Sequence, residues 1–192
     1  MELRSTGNYA SVAPTASVAG LTAGALAWMT TNTSLGGSGA NGGYSAGIVA
    51  AATNGTQRAY TEALLKPVLQ SIWAAGGNPG MAITNGTQKQ LAAAFAGLAQ
   101  QRRETGDKKA TIVAGADVYV SDFGRIAFVP SRFCSARDSL IVDPDYWEIG
   151  SLDPLGVDDL AKTGLATRKM LSVEWALKSL NQAASGVIRD LT

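Results

Sequence analysis

Residues 116–133 read ADVYVSDFGRIAFVPSRF, and the fold turns on how this run alternates. Val118 and Val120 alternate with Asp117, Tyr119 and Ser121. A turn follows at Asp122-Phe123-Gly124, then Ile126 and Phe128 resume the alternation until Pro130 ends it. Two-residue periodicity on both sides of a short turn predicts a hairpin. Three further segments read as strands and the turns between them: SLIVDPDYWEIGSL at 139–152, LAKTG at 160–164 and RKMLSVEWALKSLNQAASGVIRDL at 168–191. The last begins with the cleanest pattern in the chain. Leu171, Val173, Trp175 and Leu177 fall on one side, and Met170, Ser172, Glu174, Ala176 and Lys178 on the other.

Upstream the period changes. Thr61 to Ala75 reads as a helix whose face is Leu64, Leu65, Val68, Leu69, Ile72 and Trp73, with Thr61 as N-cap and Gly76-Gly77 as the stop. Pro67 falls inside it and predicts a kink or a late start. Met81 to Thr84 reads as a short buried strand. A second helix is expected from about Thr87 to Gln101, with Leu91, Ala94, Phe95 and Leu98 facing inward. The segment TNGTQ stands at Thr53 and again at Thr84, ahead of a helix each time; two short copies supply turns and caps and make no structural repeat. RRETGDKK, from Arg102 to Lys109, mixes both charge signs and reads as a solvated loop. Residues 5–56 are rich in Gly, Ala, Ser, Thr and Asn around GGSGANGG, Gly36 to Gly43. Little there offsets the cost of ordering backbone, so a long loop is expected, pinned by Trp28 and Met29 and ordered mainly by contacts with neighbours. Helices first and strands afterwards make an α+β chain.

The 192 residues suit one domain or two small ones. Sixteen basic and fifteen acidic residues leave a formal charge of +1, which gives no reason to expect general nucleic-acid or membrane binding. Charged residues are 16% of the chain, against roughly 25% in an ordinary domain. Either partners cover much of the surface, or Ala and Gly dilute the charge. Cys134 is the only cysteine, so no internal disulfide exists, and a packed, inert thiol is expected despite Arg132 and Arg137 nearby. MELRSTGNYAS carries no signal-peptide core, and nowhere do roughly 18 apolar residues run together; the expectation is a soluble chain made inside a cell.

Several motifs resemble chemistry. Gly43-Tyr44-Ser45-Ala46-Gly47 fits G-x-S-x-G, but a serine nucleophile needs a base, and the chain has no histidine. Gly37-Ser38-Gly39-Ala40-Asn41-Gly42 fits G-x-G-x-x-G without a credible strand before it or helix after it. Gly156 to Thr163, GVDDLAKT, nearly matches a Walker A loop, yet Ala161 replaces the second glycine and Asp158 and Asp159 would repel phosphate. Asp143 and Asp145 open like a calcium loop, but Trp147 stands where the third ligand belongs. No catalytic, cofactor-binding or metal-ligating residue is assigned, and no cofactor is expected.

VYVSDFG, VPSRF, DPDYW and LAKTG occur in this order at 118–124, 129–133, 143–147 and 160–164. In that order they resemble the C-terminal half of tailed-phage major capsid proteins of the Hong Kong 97 type. The likeness is strongest from Ala110 onward and extends, more weakly, over Thr61 to Leu98. In the family LAKTG is usually followed by an acidic residue; here Leu165 follows.

The resemblance implies a loop region at 1–56, an axial domain at 57–155 and C-terminal strands of a peripheral domain at 156–192. It also implies an N-terminal arm, extended loop and spine helix upstream, with Met1-Glu2-Leu3 where that helix would be ending. The apolar side of the strand from Arg168 to Lys178 would then lie beside that helix. The implied function is a structural subunit, not an enzyme, assembling with itself as pentamers and hexamers of an icosahedral shell. Implied partners are portal, scaffold or decoration proteins and double-stranded DNA contacted without sequence preference, with no membrane. The implied location is the virion, after assembly in the bacterial cytoplasm. Two alternatives stay open: a nanocompartment shell of the same fold, and a small hydrolase or ligand-binding domain built on the Ser45 loop.

Overall fold

A computed structural model of the protein describes residues 6–95, 118–162 and 164–192. In chain order its elements are α1 (Ala25–Trp28), β1 (Thr33–Ser34), β2 (Gly43–Ser45), β3 (Ile48–Ala50), α2 (Glu62–Ala74), β4 (Met81–Thr84), α3 (Gly86–Ala92), β5 (Val118–Ser121), β6 (Gly124–Pro130), β7 (Ser139–Val142), β8 (Trp147–Asp159), β9 (Lys169–Ser179) and β10 (Gly186–Ile188). Helices and strands thus mix, as the sequence predicts.

The main sheet runs β1-β10-β7-β4-β6-β5. β1 is parallel to β10 and β4 to β6, while the other neighbours are antiparallel. It draws on all three regions expected along the chain, because β1 from the first and β10 from the last lie side by side next to β7. Paired residues share a face, so Phe128, Ala82 and Ile141 form one row across three strands. That face, with Tyr119, Ile126 and Ile188, packs against Leu65, Val68, Leu69 and Ile72 of α2. Each such aliphatic side chain contributes roughly 1.5–3 kcal/mol. Gly186 lets the helix come this close: a Cβ there would lie 2.8 Å from both Ile72 Cδ1 and Val68 Cγ1. The other face puts Leu140, Val142 and Val187 against Ala25, Leu26 and Met29.

The helix expected over 61–75 forms almost to the residue. It ends in the left-handed glycine stop: Gly76 has φ +84°, and the Gly76 and Gly77 amides donate to the Trp73 and Ile72 carbonyls. Three details differ from expectation. Thr61 stands at the N-cap without a side-chain capping bond, and Pro67 neither delays the start nor ends the helix. Trp73 is 60% exposed, reaching off the core to Phe123 at 5.5 Å between ring centres.

The second helix is capped by Asn85, whose side chain accepts from the Thr87 amide, and it ends at Ala92. Phe95 is buried as expected, but Leu91 and Ala94 face solvent, and Gln88 and Ala92 turn inward instead. The reason is polar. Gln88 Nε2 donates to the Ala136 carbonyl at 2.7 Å and to the Thr192 carbonyl at 3.0 Å, and that pair of bonds fixes the rotation. Leu98, the rest of this expected helix and the loop from Arg102 to Lys109 lie outside the described residues.

The alternation at 118–121 is present with its sides reversed from a simple apolar-in reading. Tyr119 is buried under α2, its hydroxyl donating to Glu62 Oε1 at 2.9 Å, while Val118 and Val120 are exposed. Ile126 and Phe128 are buried as the pattern suggests, and β6 ends at Pro130.

Candidate assembly surface

The most conspicuous feature outside the core is an arm. β8 and β9 pair antiparallel over their whole length as a separate two-stranded sheet, with Trp147 opposite Ser179 and Asp159 opposite Lys169. β8 has 13 residues and β9 has 11, and two register slips, around Leu152 and around Pro154-Leu155, absorb the difference. Such bulges bend and twist a ribbon. At the far end the Leu160 amide donates to the Arg168 carbonyl, and Gly164, at φ +85°, turns the chain. Leu160 to Lys162 and Gly164 therefore stand at the arm's tip. Lys162 stands exposed there, and Gly156 to Asp159, where a phosphate loop would begin, belong to a strand.

Among the described residues the arm is fixed at its root. Trp147 Nε1 donates to Ser185 Oγ at 3.0 Å, and the Leu177 amide donates to Thr22 Oγ1 at 2.9 Å. Trp147 and Leu177 pack on the α1 side of the core. Beyond them most of the ribbon is exposed, with Trp175 half-buried. Leu171 is 67% exposed and Val173 47%, and Leu152 reaches 85%. Ile149, Leu155, Val157, Leu160, Leu165 and Met170 are exposed as well. At the roughly 60–120 Å² per aliphatic side chain that 25 cal/mol per Å² implies, these nine residues present on the order of 500 Å² of apolar surface. They are divided between the two sides of the ribbon and its tip: Met170 opposes Asp158 on one side, and Leu171 opposes Val157 on the other. The ion pairs Lys169–Asp159 at 3.2 Å and Lys178–Glu148 at 2.9 Å join the two strands, but both are exposed and contribute at most about 1 kcal/mol each.

An open cleft of about 420 Å³ lies at the root, lined by Trp28, Thr30, Gly42, Gly43, Tyr44 and residues 179–182. The Trp28 and Tyr44 rings stack, 6.1 Å between centres. Ser45 is close by, and its geometry disposes of the nucleophile motif. Tyr44 and Ser45 end β2, Ala46 and Gly47 form a two-residue turn with φ +50° and +84°, and Ile48 opposes Ser45 across the hairpin. Positive φ at both turn positions marks a type I′ hairpin. A nucleophile elbow needs a helix after the serine, and here a strand follows.

The glycine-rich segment is the largest departure from expectation, for the chain holds it internally. Asp190, only 1% exposed, accepts from the Gly36 amide at 3.0 Å, the Gly55 amide at 2.7 Å and Arg137 Nη2 at 3.0 Å. Arg137 also donates to the Gly55 carbonyl, the Thr56 amide to the Gly37 carbonyl, and Ala40 pairs with Thr53. Burial alone would raise the Asp190 pKa; the bonds from Arg137, Gly36 and Gly55 outweigh it and hold the carboxyl below the usual aspartate range. Gly36 and Gly39 allow this approach, since a Cβ on either would fall about 3 Å from the Asp190 side chain. Next to it Arg189 is buried and donates to the Leu26 carbonyl. Asp138 sits in the same cluster, its pKa raised by burial and pulled back by Arg189. A carboxylate at the centre of the G-x-G-x-x-G loop makes it a poor phosphate cradle. Sequence reasoning passed over Asp190 and weighed Arg137 only as a neighbour of Cys134. The one available signal was a charged Arg-Asp pair closing an apolar strand.

Trp28 and Met29 do pin this region: Met29 is buried against Leu140 and Val187, and Trp28 packs on Ala23, Ala27 and Val49. Asp143 is buried too, capping a 3₁₀ turn by accepting from the Asp145 amide, so DPDYW leads into β8. Cys134 is buried, and desolvation pushes its thiol up to about 12. Among the described residues no group of His, Cys, Asp and Glu is placed to hold a metal ion, and no helix is long and apolar enough to cross a membrane. A family model described as SU10 major capsid protein matches residues 1–192. No curated protein matches the chain.

Proposed function

The chain belongs to the SU10 major capsid protein family and is a structural capsid protein of the virion; we propose that it closes into an icosahedral shell around phage DNA with a subunit fold of the Hong Kong 97 type. The observation that carries this reading is the arm, a ribbon rooted in the body by Trp147 and Leu177 and largely exposed beyond it. Surface of that kind is stabilised only by neighbours, and a shell subunit gains its stability from such extended contacts. The six-stranded sheet with α2 on its face suits an axial domain gathered around the centres of pentamers and hexamers. The β8–β9 ribbon suits a peripheral domain reaching between them.

Contact with DNA is weak and independent of sequence, because a net charge of +1 supplies few phosphate-neutralising groups. Portal, scaffold or decoration proteins are its further partners as the shell forms in the bacterial cytoplasm. The family match favours this over a nanocompartment or a hydrolase. An electron cryomicroscopy reconstruction of particles purified from expressing cells tests the proposal. The expected map is icosahedral, with the six-stranded sheet near the capsomer axes and nuclease-protected DNA inside phage particles. A helical, open or differently folded assembly would refute it.

A further inference from the structure

We propose that Asn54-Gly55 is a latent deamidation site, held shut by the Asp190 carboxylate, and that opening of this latch lets the chain modify itself irreversibly. The sequence holds three Asn-Gly steps, at 41–42, 54–55 and 85–86. In such a step the glycine amide nitrogen attacks the Asn carboxamide carbon, and glycine has no Cβ to hinder the approach. The new N–Cγ bond closes a succinimide. The Cγ–Nδ2 bond breaks, and ammonia leaves with the amide proton. Water then opens the ring at either carbonyl, giving aspartate or isoaspartate.

The structure treats the three steps differently. Asn85 caps α3: its Oδ1 accepts from the Thr87 amide at 3.2 Å, and its Nδ2 donates to the Cys134 carbonyl at 3.1 Å. Asn41 Nδ2 donates to the Thr30 carbonyl at 2.9 Å and to Thr33 Oγ1 at 3.0 Å. At both positions the carboxamide is tied. Asn54 is exposed, and its carboxamide has no partner among the described residues. There the other reactant is tied instead: the Gly55 amide donates to Asp190 Oδ1 at 2.7 Å.

A carboxylate is an effective guard. Attack requires the Gly55 amide to give up its proton, and a negative charge 2.7 Å away opposes the anion that forms. The main chain on both sides is tied as well. Thr53 exchanges two bonds with Ala40, the Gly55 carbonyl accepts from Arg137, and the Thr56 amide donates to the Gly37 carbonyl. The nitrogen is therefore held in place until several bonds break together. Glycine is required at 55 for a separate reason, since a Cβ there would lie 2.7 Å from both the Gly37 carbonyl oxygen and the Gly39 amide nitrogen. The fold keeps the labile step and depends on Asp190 to hold it. Once Asn54 has reacted, isoaspartate adds one carbon to the main chain between Thr53 and Gly55, and the two sets of bonds no longer fit in register.

Peptide mass spectrometry of the full chain, incubated native and in denaturant in mildly alkaline buffer, tests the proposal alongside amide exchange at Gly55. In denaturant all three Asn-Gly steps are expected to convert. In the native chain Asn54 should be slowed by the same factor as exchange of the Gly55 amide, within about tenfold, because one local opening gates both. In Asp190→Asn the native rate at Asn54 should rise at least about tenfold, the change implied by losing a hydrogen bond to a charged group. Asn85 should keep its rate there and so report an intact fold. Asn54 converting as fast in the native chain as in the unfolded one overturns the proposal, as does a slowing that departs from Gly55 exchange by more than that margin. An Asn54 rate unchanged or lower in the variant also overturns it, since the carboxylate would then be a bystander or the base that removes the proton. If Asn85 accelerates too, the variant has unfolded, and the wild-type comparison of deamidation with exchange decides alone.

Discussion

Replacing Asp190 with Asn tests how a glycine-rich segment is ordered without an apolar core of its own. Asp190 lies at φ +59°, a left-handed conformation that Asn tolerates as well as Asp does, so the exchange removes charge without adding backbone strain. Three bonds converge on this carboxylate, from the Gly36 amide, the Gly55 amide and Arg137. Hydrogen bonds to a charged group contribute roughly 1.5–3 kcal/mol each, and breaking a buried ion pair costs about 3–5 kcal/mol. Asn keeps one carbonyl acceptor, so the loss should be about 3 kcal/mol. In a chain of this length that lowers Tm by about 6–12 °C.

The loss has a signature in pH. Because the folded carboxyl titrates below the ordinary aspartate value, the folded chain binds fewer protons than the unfolded one. The Asp190 contribution is complete above the unfolded value of about 4 and disappears as pH falls through the lower folded value. Asp138, raised by burial, has the opposite slope, and removing the nearby Asp190 charge eases that rise in the variant. The stability gap between wild type and variant should therefore be constant near neutrality and shrink below about pH 4. Thermal unfolding across pH, with amide exchange at Gly36 and Gly55, reads both effects. Unchanged protection of those two amides together with a Tm within about 2 °C of wild type would refute the reasoning.

Ala46→Asn should stabilise the β2–β3 hairpin by about 0.5–1 kcal/mol, since Ala46 holds φ +50° at a turn position that favours Asn; a lower Tm would count against the type I′ assignment. Gly186→Ala should cost about 1–3 kcal/mol by overpacking, with the new Cβ 2.8 Å from Val68, Ile72 and the Asn32 carbonyl; an unchanged denaturant midpoint would show that α2 can move aside. Cys134 should resist iodoacetamide at pH 8 in the folded protein and react only after denaturation, because burial holds its thiol near 12; rapid native labelling would contradict that environment.

The comparison of sequence with structure divides along a physical line. Signals confined to a few neighbouring residues were legible: the α2 periodicity with its Gly76-Gly77 stop, and the β6 alternation ending at Pro130. Questions of which side faces in were not, because periodicity names two sides without ranking them. Tyr119 rather than Val118 and Val120 turned to the core, since Glu62 stands across from its hydroxyl. Gln88 took the inward position of α3 through carbonyls of Ala136 and Thr192, the latter 104 residues away in sequence. The glycine-rich loop was misjudged for the same reason. Its order comes from a carboxylate more than 130 residues downstream, and composition records nothing of that distance. At the assembly surface the alternation of Leu171 to Leu177 was plain, whereas its exposure followed from where β8 and β9 leave the main sheet.

The most direct measurement on the central claim is the sedimentation velocity of the purified wild-type chain over a wide range of concentration. A shell-forming subunit should give a fast, narrow boundary at megadalton mass, with closed particles of uniform diameter in the same fractions under the electron microscope. A boundary at the mass of a single chain, unchanged at every concentration, would contradict it.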